Sequence, residues 1–418
     1  MKILEMHVTP IAISDPPLLN AAGLHAPYAL RTIVELVSDD GLYGVGEVPG
    51  GASITAWLEQ CRSHLLGQDP FQLNAIAETL KTRLGGRINP RHLALVQSAI
   101  EVACFDLMGK AVNRPVVDLL GGKTRDQVDF AAYLFYKYEG VGGALGFKTR
   151  DNAQGWGAAR GAEALDAKGI VDQAKAMCEA YGFKSLKLKG GVFPPEEEVE
   201  AMFALSDAFG PDTPLRLDPN AIWSLETSIT WGKRLEGVLE YYEDPVRTQE
   251  AMAELAKNVS LPLATNMCTT SFADIPGAMK LGSEAIILSD HHYWGGLRAT
   301  LDLGRICQTF GRGLSMHSNS HVGISLAAMV HVGAALPYLS YACDTHYPWQ
   351  YEDVVTKPLE FIDGAIKVPD SPGLGVELDR DSLAALHETY KNCGLDERND
   401  ELAMQVKQPG WRFAATRW

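Results

Sequence analysis

Several absences narrow this chain before any motif is considered. No apolar run is long enough to cross a membrane, and Glu5 and His7 interrupt the opening MKILEMHVTPIAIS, which alternates like a strand rather than a leader. Membrane insertion and secretion are therefore not expected. Positive charge is scarce: 37 Lys and Arg against 52 Asp and Glu leave a net charge of −15, which argues against nucleic acid or an anionic bilayer as partner. The seven cysteines are scattered, odd in number and without a CxxC pair, so neither a disulfide framework nor a thiolate zinc site is expected. A reduced, cytoplasmic protein fits that usage. No GxGxxG or P-loop spacing provides a phosphate cradle.

What is present is a repeat. SLKLKG (185–190), LRLDPN (215–220), YYEDPV (241–246), LATNM (263–267), IILSD (286–290) and SMHSN (315–319) each end an apolar strand in residues that ionise or ligate a metal. With FAAYLFY (130–136) and YACDTH (341–346) they make eight strand–loop–helix units, the count of a closed (β/α)8 barrel, whose C-terminal strand ends converge on one pocket. An open doubly wound sheet is the alternative fold. Residues 1–125 lack this alternation and read as an α+β domain, with helices expected over 53–66 and 91–110. The barrel is placed at 126–365, and residues 366–418 are expected to return and pack on the first domain. The glycine-rich stretch 140–161 is too long for an ordinary barrel loop and reads as a mobile insertion near the pocket.

Lys187 and Lys189 share a strand face while Leu188 takes the other, so a barrel would aim both ammonium groups inward. Two close like charges in a dry site are expected to depress each other's pKa, giving a neutral lysine able to act as a base. Asp218, Glu243 and Asn266 end consecutive strands with oxygen donors alone, a hard set that points to Mg2+ rather than zinc or copper. Asp290 and His317 end the next two strands and could form an oriented carboxylate–imidazole pair. Together these describe proton abstraction beside a carboxylate, with positive charge held at the enediolate oxygens. The first strand lacks the HxH pair that a metal amidohydrolase barrel requires.

In this combination, and in the order of LLNAAGLHAPY, GVGEVPGG, AYLFYKY, FKSLKLKGG, LDPNAIWSLE, YYEDPV, LATNMCTT, HSNSH and DTHYPWQ, the chain resembles the enolase superfamily, in its mandelate racemase-like subgroup and glucarate dehydratase branch. The resemblance implies a modified TIM barrel under an α+β capping domain that the C-terminal segment completes. It implies Lys189 as base assisted by Lys187, Mg2+ on Asp218, Glu243 and Asn266, and His317, oriented by Asp290, as the opposite base and acid. It also implies substrate contacts from Asn20, His25, Tyr133, Phe135, Asn220, Asn319, Asp344, His346 and Arg417. The expected activity is dehydration of a hexarate diacid, D-glucarate first and L-idarate or galactarate next, by a cytoplasmic homo-oligomer. An acid-sugar epimerase and a non-catalytic diacid binder are the alternatives. Two departures from the branch's pattern, at Ser320–Gly323 and in the length of 140–161, fall near the pocket and bear on which diacid is taken.

Overall fold

Alternation of apolar residues in the first fifty positions builds a three-stranded antiparallel sheet in the computed structural model, which describes residues 1–150 and 153–418. Its strands β1 (Ile3–Ser14), β2 (Tyr28–Ser38) and β3 (Tyr43–Pro49) pair in that order. Helices α1 (Ala52–Leu65), α2 (Leu73–Leu84) and α3 (Pro90–Val112) follow. α3 starts where the sequence places it: Pro90 takes the first turn, and the Asn89 side chain accepts from the His92 amide at 2.8 Å. By length and composition α3 could cross a membrane, yet 78% of its apolar stretch is buried inside the protein. β3 lies directly on it, and the contact is made by glycine. A methyl group on Gly46 would come within 2.0 Å of the Ala99 carbonyl oxygen, and one on Gly44 within 2.2 Å of that of Ala103.

The eight expected strands form the barrel: β4 (Gln127–Phe135), β5 (Leu186–Lys189), β6 (Leu215–Asp218), β7 (Tyr241–Glu243), β8 (Leu263–Thr265), β9 (Ile286–Ser289), β10 (Gly313–Met316) and β11 (Cys343–Thr345). They pair in parallel in the order β10-β9-β8-β7-β6-β5-β4-β11. The open doubly wound alternative is thereby excluded. Closure is nearly complete. Between β10 and β11 two bonds stand in for a ladder, from the Ser340 amide to Leu314 O and from Ser315 Oγ to Ala342 O, both at 3.0 Å. After β10 runs α4 (Gly323–Ala335), apolar but for Ser325 and His331 and buried along its whole length, as a helix apolar on every side must be.

The C-terminal segment touches both domains. β12 (Ala365–Lys367) adds antiparallel to β4 of the barrel, across the expected boundary at 365. α5 (Arg380–Asn392) then lies on β1, with His387 Nδ1 2.7 Å from Pro10 O. α6 (Asp400–Lys407) packs beside the Leu19–Leu24 hairpin. The last residues come back to the barrel, where the Arg417 amide donates to Ile222 O and Trp418 O accepts from Ser224.

The glycine-rich segment, whose residues 151–152 lie outside the described ones, is anchored near its C-terminal end and at its flanks. Trp156 is buried against Trp349 and donates to Pro348 O at 2.8 Å. Lys137, fully buried, pairs with Ala164 through both backbone groups and sends Nζ to Tyr138 O and Ala162 O at 2.6 Å each. With no carboxylate among its hydrogen-bond partners in the described residues, burial brings Lys137 down to about 7.

Two outcomes follow from this packing. Gly46→Ala should destabilise the protein by about 1–3 kcal/mol in urea unfolding, because backbone rather than a flexible side chain occupies the space. Lys137 binds its proton less tightly folded than unfolded, so wild type should gain stability from pH 7 to 9 relative to Lys137→Met, by about 1–2 kcal/mol. Paired urea titrations at the two pH values measure it.

A candidate active site at the barrel mouth

Parallel register turns the two-residue period into a floor of inward groups. Tyr133 pairs with Lys187 and Phe135 with Lys189 across β4 and β5, and Lys187 pairs with Arg216 and Lys189 with Asp218 across β5 and β6. All six face the barrel interior, as the alternation of the two lysines around Leu188 requires.

The lysines do not stand against each other as expected. Lys187 Nζ lies 2.6 Å from both Glu243 and Asp344, and Lys189 Nζ lies 2.6 Å from Asp218. Burial alone would pull each amine down, but these carboxylates outweigh it, and both lysines are raised above their ordinary value. The expected mutual depression is therefore reversed in this arrangement. Asp218 responds in kind: burial pushes it up, Lys189 and Lys187 pull harder, and it settles at about 2.

The three oxygen-bearing strand ends come together. Asn266 Nδ2 donates to Glu243 Oε1 at 2.9 Å, while Asn220 holds Asp218 Oδ1 through both its amide and its side chain at 2.9 Å. Asp244, pushed up to about 7 by burial, accepts from the Asn266 backbone amide at 2.8 Å and so fixes the start of that loop. Asn220 and Ala221 both adopt left-handed φ, 56° and 57°, at the turn that delivers the Asn220 side chain. Two carboxylates and one amide oxygen, without thiolate or imidazole, fit a hard divalent cation.

Across the mouth, His317 Nδ1 lies 3.1 Å from Asp290 Oδ2. Burial would raise the Asp290 carboxyl, but hydrogen bonds and charge from His292 and His317 hold it well below the usual carboxylate range. Between the two sides lies a cavity of about 330 Å³. Of the residues expected from sequence, Lys189, His317, Asn266, Asn20, His25, Tyr133, Phe135, Asn220, Asn319 and His346 line it. Lys187, Asp218 and Glu243 form the buried floor, and Asp290 lines an adjoining cavity that shares His317, Asn266 and Arg91.

Two of the expected substrate-contact residues do not line the cavity. Asp344 is buried beneath the floor, held by Lys187 and 3.6 Å from Arg216, and does not line the cavity. Arg417 donates to Gly191 O and Ala21 O and stays outside the wall. The cation that does line it from the C-terminal segment is Arg398. It bonds Asp400 Oδ1 and Oδ2 at 2.8 and 2.6 Å and meets His25 Nε2 at 2.9 Å. Since a guanidinium only donates, His25 accepts there and presents its Nδ1 proton to Asp15, 2.9 Å away. Asn20 joins the same group by donating to Asp400 at 2.8 Å. Arg398, Asp400, Arg91 and Tyr293 were missed in the sequence because none ends a barrel strand; the RND run of 398–400 just before α6 was the available signal.

Residues 11–121 match the mandelate racemase / muconate lactonizing enzyme N-terminal domain and residues 169–382 the enolase C-terminal domain-like family. The "probable glucarate dehydratase" of Streptomyces coelicolor is 48% identical, covering 98% of this chain and 97% of its own. D-galactarolactone cycloisomerase of Agrobacterium fabrum is 30% identical over 88% of this chain and 94% of its own. An enolase of Pseudomonas fluorescens, crystallised with magnesium, potassium and tartrate, superposes with a TM-score of 0.94 at 48% identity, covering 100% of this chain and 99% of its own.

Arg398→Ala should leave buried Asp400 without its cation and lower stability at pH 7. The Arg398 side chain is 49% exposed, so solvent screening limits the loss to about 1 kcal/mol. Because Arg398 depresses the Asp400 carboxyl, the pair stabilises fully above the unfolded carboxylate range, and the deficit should shrink progressively as pH falls below that range toward the depressed folded value. Thermal melts at pH 7 and pH 3 report the difference.

Proposed function

Because the chain belongs to the enolase superfamily, pairing a mandelate racemase / muconate lactonizing N-terminal domain with an enolase-like barrel, and is an enzyme, we propose that it dehydrates a hexarate diacid. D-glucarate is the first candidate, with L-idarate and galactarate next. The observation that carries this is Lys189 and His317 on opposite sides of one cavity, with oxygen donors at its floor and Arg398 and Arg91 in its wall. Each end of a diacid then meets positive charge, in a chain whose net charge is −15.

Neutral Lys189 removes the proton α to one carboxylate, and the electron pair moves into the enediolate. Lys187, fixed between Glu243 and Asp344, keeps its ammonium below those oxygens. Asp218, Glu243 and Asn266 would hold Mg2+, which when bound would neutralise the Asp218 carboxylate that keeps Lys189 protonated and add positive charge beside the enediolate, while Asp344 still holds the Lys187 ammonium. His317 gives a proton to the β-hydroxyl, which leaves as water, and the enol becomes a 2-keto acid. Tyr133, Phe135, His25 and His346 pack into an aromatic wall, with ring centroids 4.6 to 6.1 Å apart, which keeps water from that side. Seven free thiols support the cytoplasmic part of the proposal, and a homo-oligomer belongs to it as well.

The same two bases could exchange a proton without expelling hydroxide, which makes acid-sugar epimerisation the second reading. A screen of hexarates and monoacid sugars with Mg2+, scored for 2-keto product, separates the two. Turnover of no acid sugar by Mg2+-loaded protein refutes both. Lys189→Ala should abolish product and proton exchange alike. His317→Asn should lower kcat for dehydration at least about 100-fold while some deuterium exchange persists at the carbon Lys189 serves. Loss of both activities in both variants would refute the two-base assignment.

A further inference from the structure

Asp290 is shared by two imidazoles, and the reaction above uses only one. Its Oδ2 accepts from His317 Nδ1 and Asn319 Nδ2, each at 3.1 Å. Its Oδ1 accepts from the backbone amide of His292 and meets His292 Nδ1, each at 2.9 Å. His292 is 3% exposed and lines neither of the two cavities at the mouth.

The far side of His292 fixes its tautomer. Nε2 lies 2.9 Å from Ser325 Oγ and 3.4 Å from Arg31 Nη2. Arginine offers only N–H groups, so Nε2 must accept, and the ring proton sits on Nδ1, aimed at Asp290. Arg31 comes from β2 of the capping domain and is held by Glu47 of β3, Nε to Oε1 at 2.7 Å, both side chains buried. Glu47 also accepts from the Val322 and Ser325 amides at 2.9 and 2.8 Å, where α4 leaves the end of β10. A continuous run of bonds thus links the capping sheet to the carboxylate that orients His317.

We propose that His292 is a positioning residue for the His317 half of the reaction, with Arg31 and Glu47 of the capping domain setting its tautomer. By occupying Asp290 Oδ1, it leaves Oδ2 turned toward His317 Nδ1 and limits the carboxylate's rotation. Removing the donor frees that rotation and lets the His317 ring drift from the leaving hydroxyl, while Lys189, on the other side of the cavity, keeps its place.

The inference rests on the two-base reading, and its test separates the two. In His292→Phe, kcat for 2-keto product from D-glucarate should fall about 10–100-fold, the loss typical of an outer hydrogen-bond partner, with KM within about 2-fold. Deuterium exchange at the carbon Lys189 serves should stay within about 3-fold of wild type, which also shows that the variant is folded. His292→Asn puts an amide N–H where Nδ1 stood and should recover most of kcat. Equal loss of exchange and dehydration, an unchanged kcat, or His292→Asn behaving like His292→Phe would each overturn the assignment. A substrate-free readout stands beside these: in protein labelled with ¹⁵N-histidine, His292 should show a proton on Nδ1. A proton on Nε2 instead overturns this inference alone, whereas a wild type that turns over no acid sugar overturns the acid-sugar reading alone.

Discussion

The structure depends on ionisable groups that water cannot reach. Lys187, Arg216, Asp218, Glu243 and Asp344 are each fully buried, and a charge in such a place persists only when paired and hydrogen-bonded. The barrel meets that demand by register. Strands four residues long or shorter deliver each partner within 2.6 to 3.9 Å of another, although the partners lie 29 to 157 residues apart in the chain. Replacing one partner alone would strand an uncompensated charge, the costly case for buried pairs. The floor is in this sense one object. Its members support the fold and define the site by the same contacts.

Strand-end chemistry was legible because both its periods are local. A two-residue alternation says which way Lys187 and Lys189 point, and a recurring strand-and-helix unit says that Asp218, Glu243, Asn266, Asp290 and His317 meet. What sequence did not carry is the company each group keeps. Counting neighbours along β5 finds two lysines and predicts mutual repulsion; the carboxylates that reverse the outcome arrive from β6, β7 and β11. The tail posed a similar difficulty. Both Arg398 and Arg417 lie beyond the last barrel repeat, where no period indicates which guanidinium reaches the cavity and which satisfies backbone carbonyls.

The capping domain does more than cover the barrel. Its hairpin supplies Asn20 and His25 to the cavity wall, α3 supplies Arg91, and Arg31 with Glu47 reaches the pair behind His317. The substrate side and the rear of the site thus both draw on the capping domain, whose β3 lies against α3 with only glycine hydrogens between them at Gly44 and Gly46.

The bond from Asn20 to Asp400 closes a loop of 380 residues. Loop-closure entropy rises slowly with length, yet it must be met before such a contact returns anything, so pairings this distant tend to form late in folding. Most neighbouring strands of the barrel follow one another in the chain and close far shorter loops, the pairing of β4 with β11 excepted. A chain interrupted before residue 398 would keep its strand-end groups and lose only the part of the cavity wall that Arg398 and Asp400 supply.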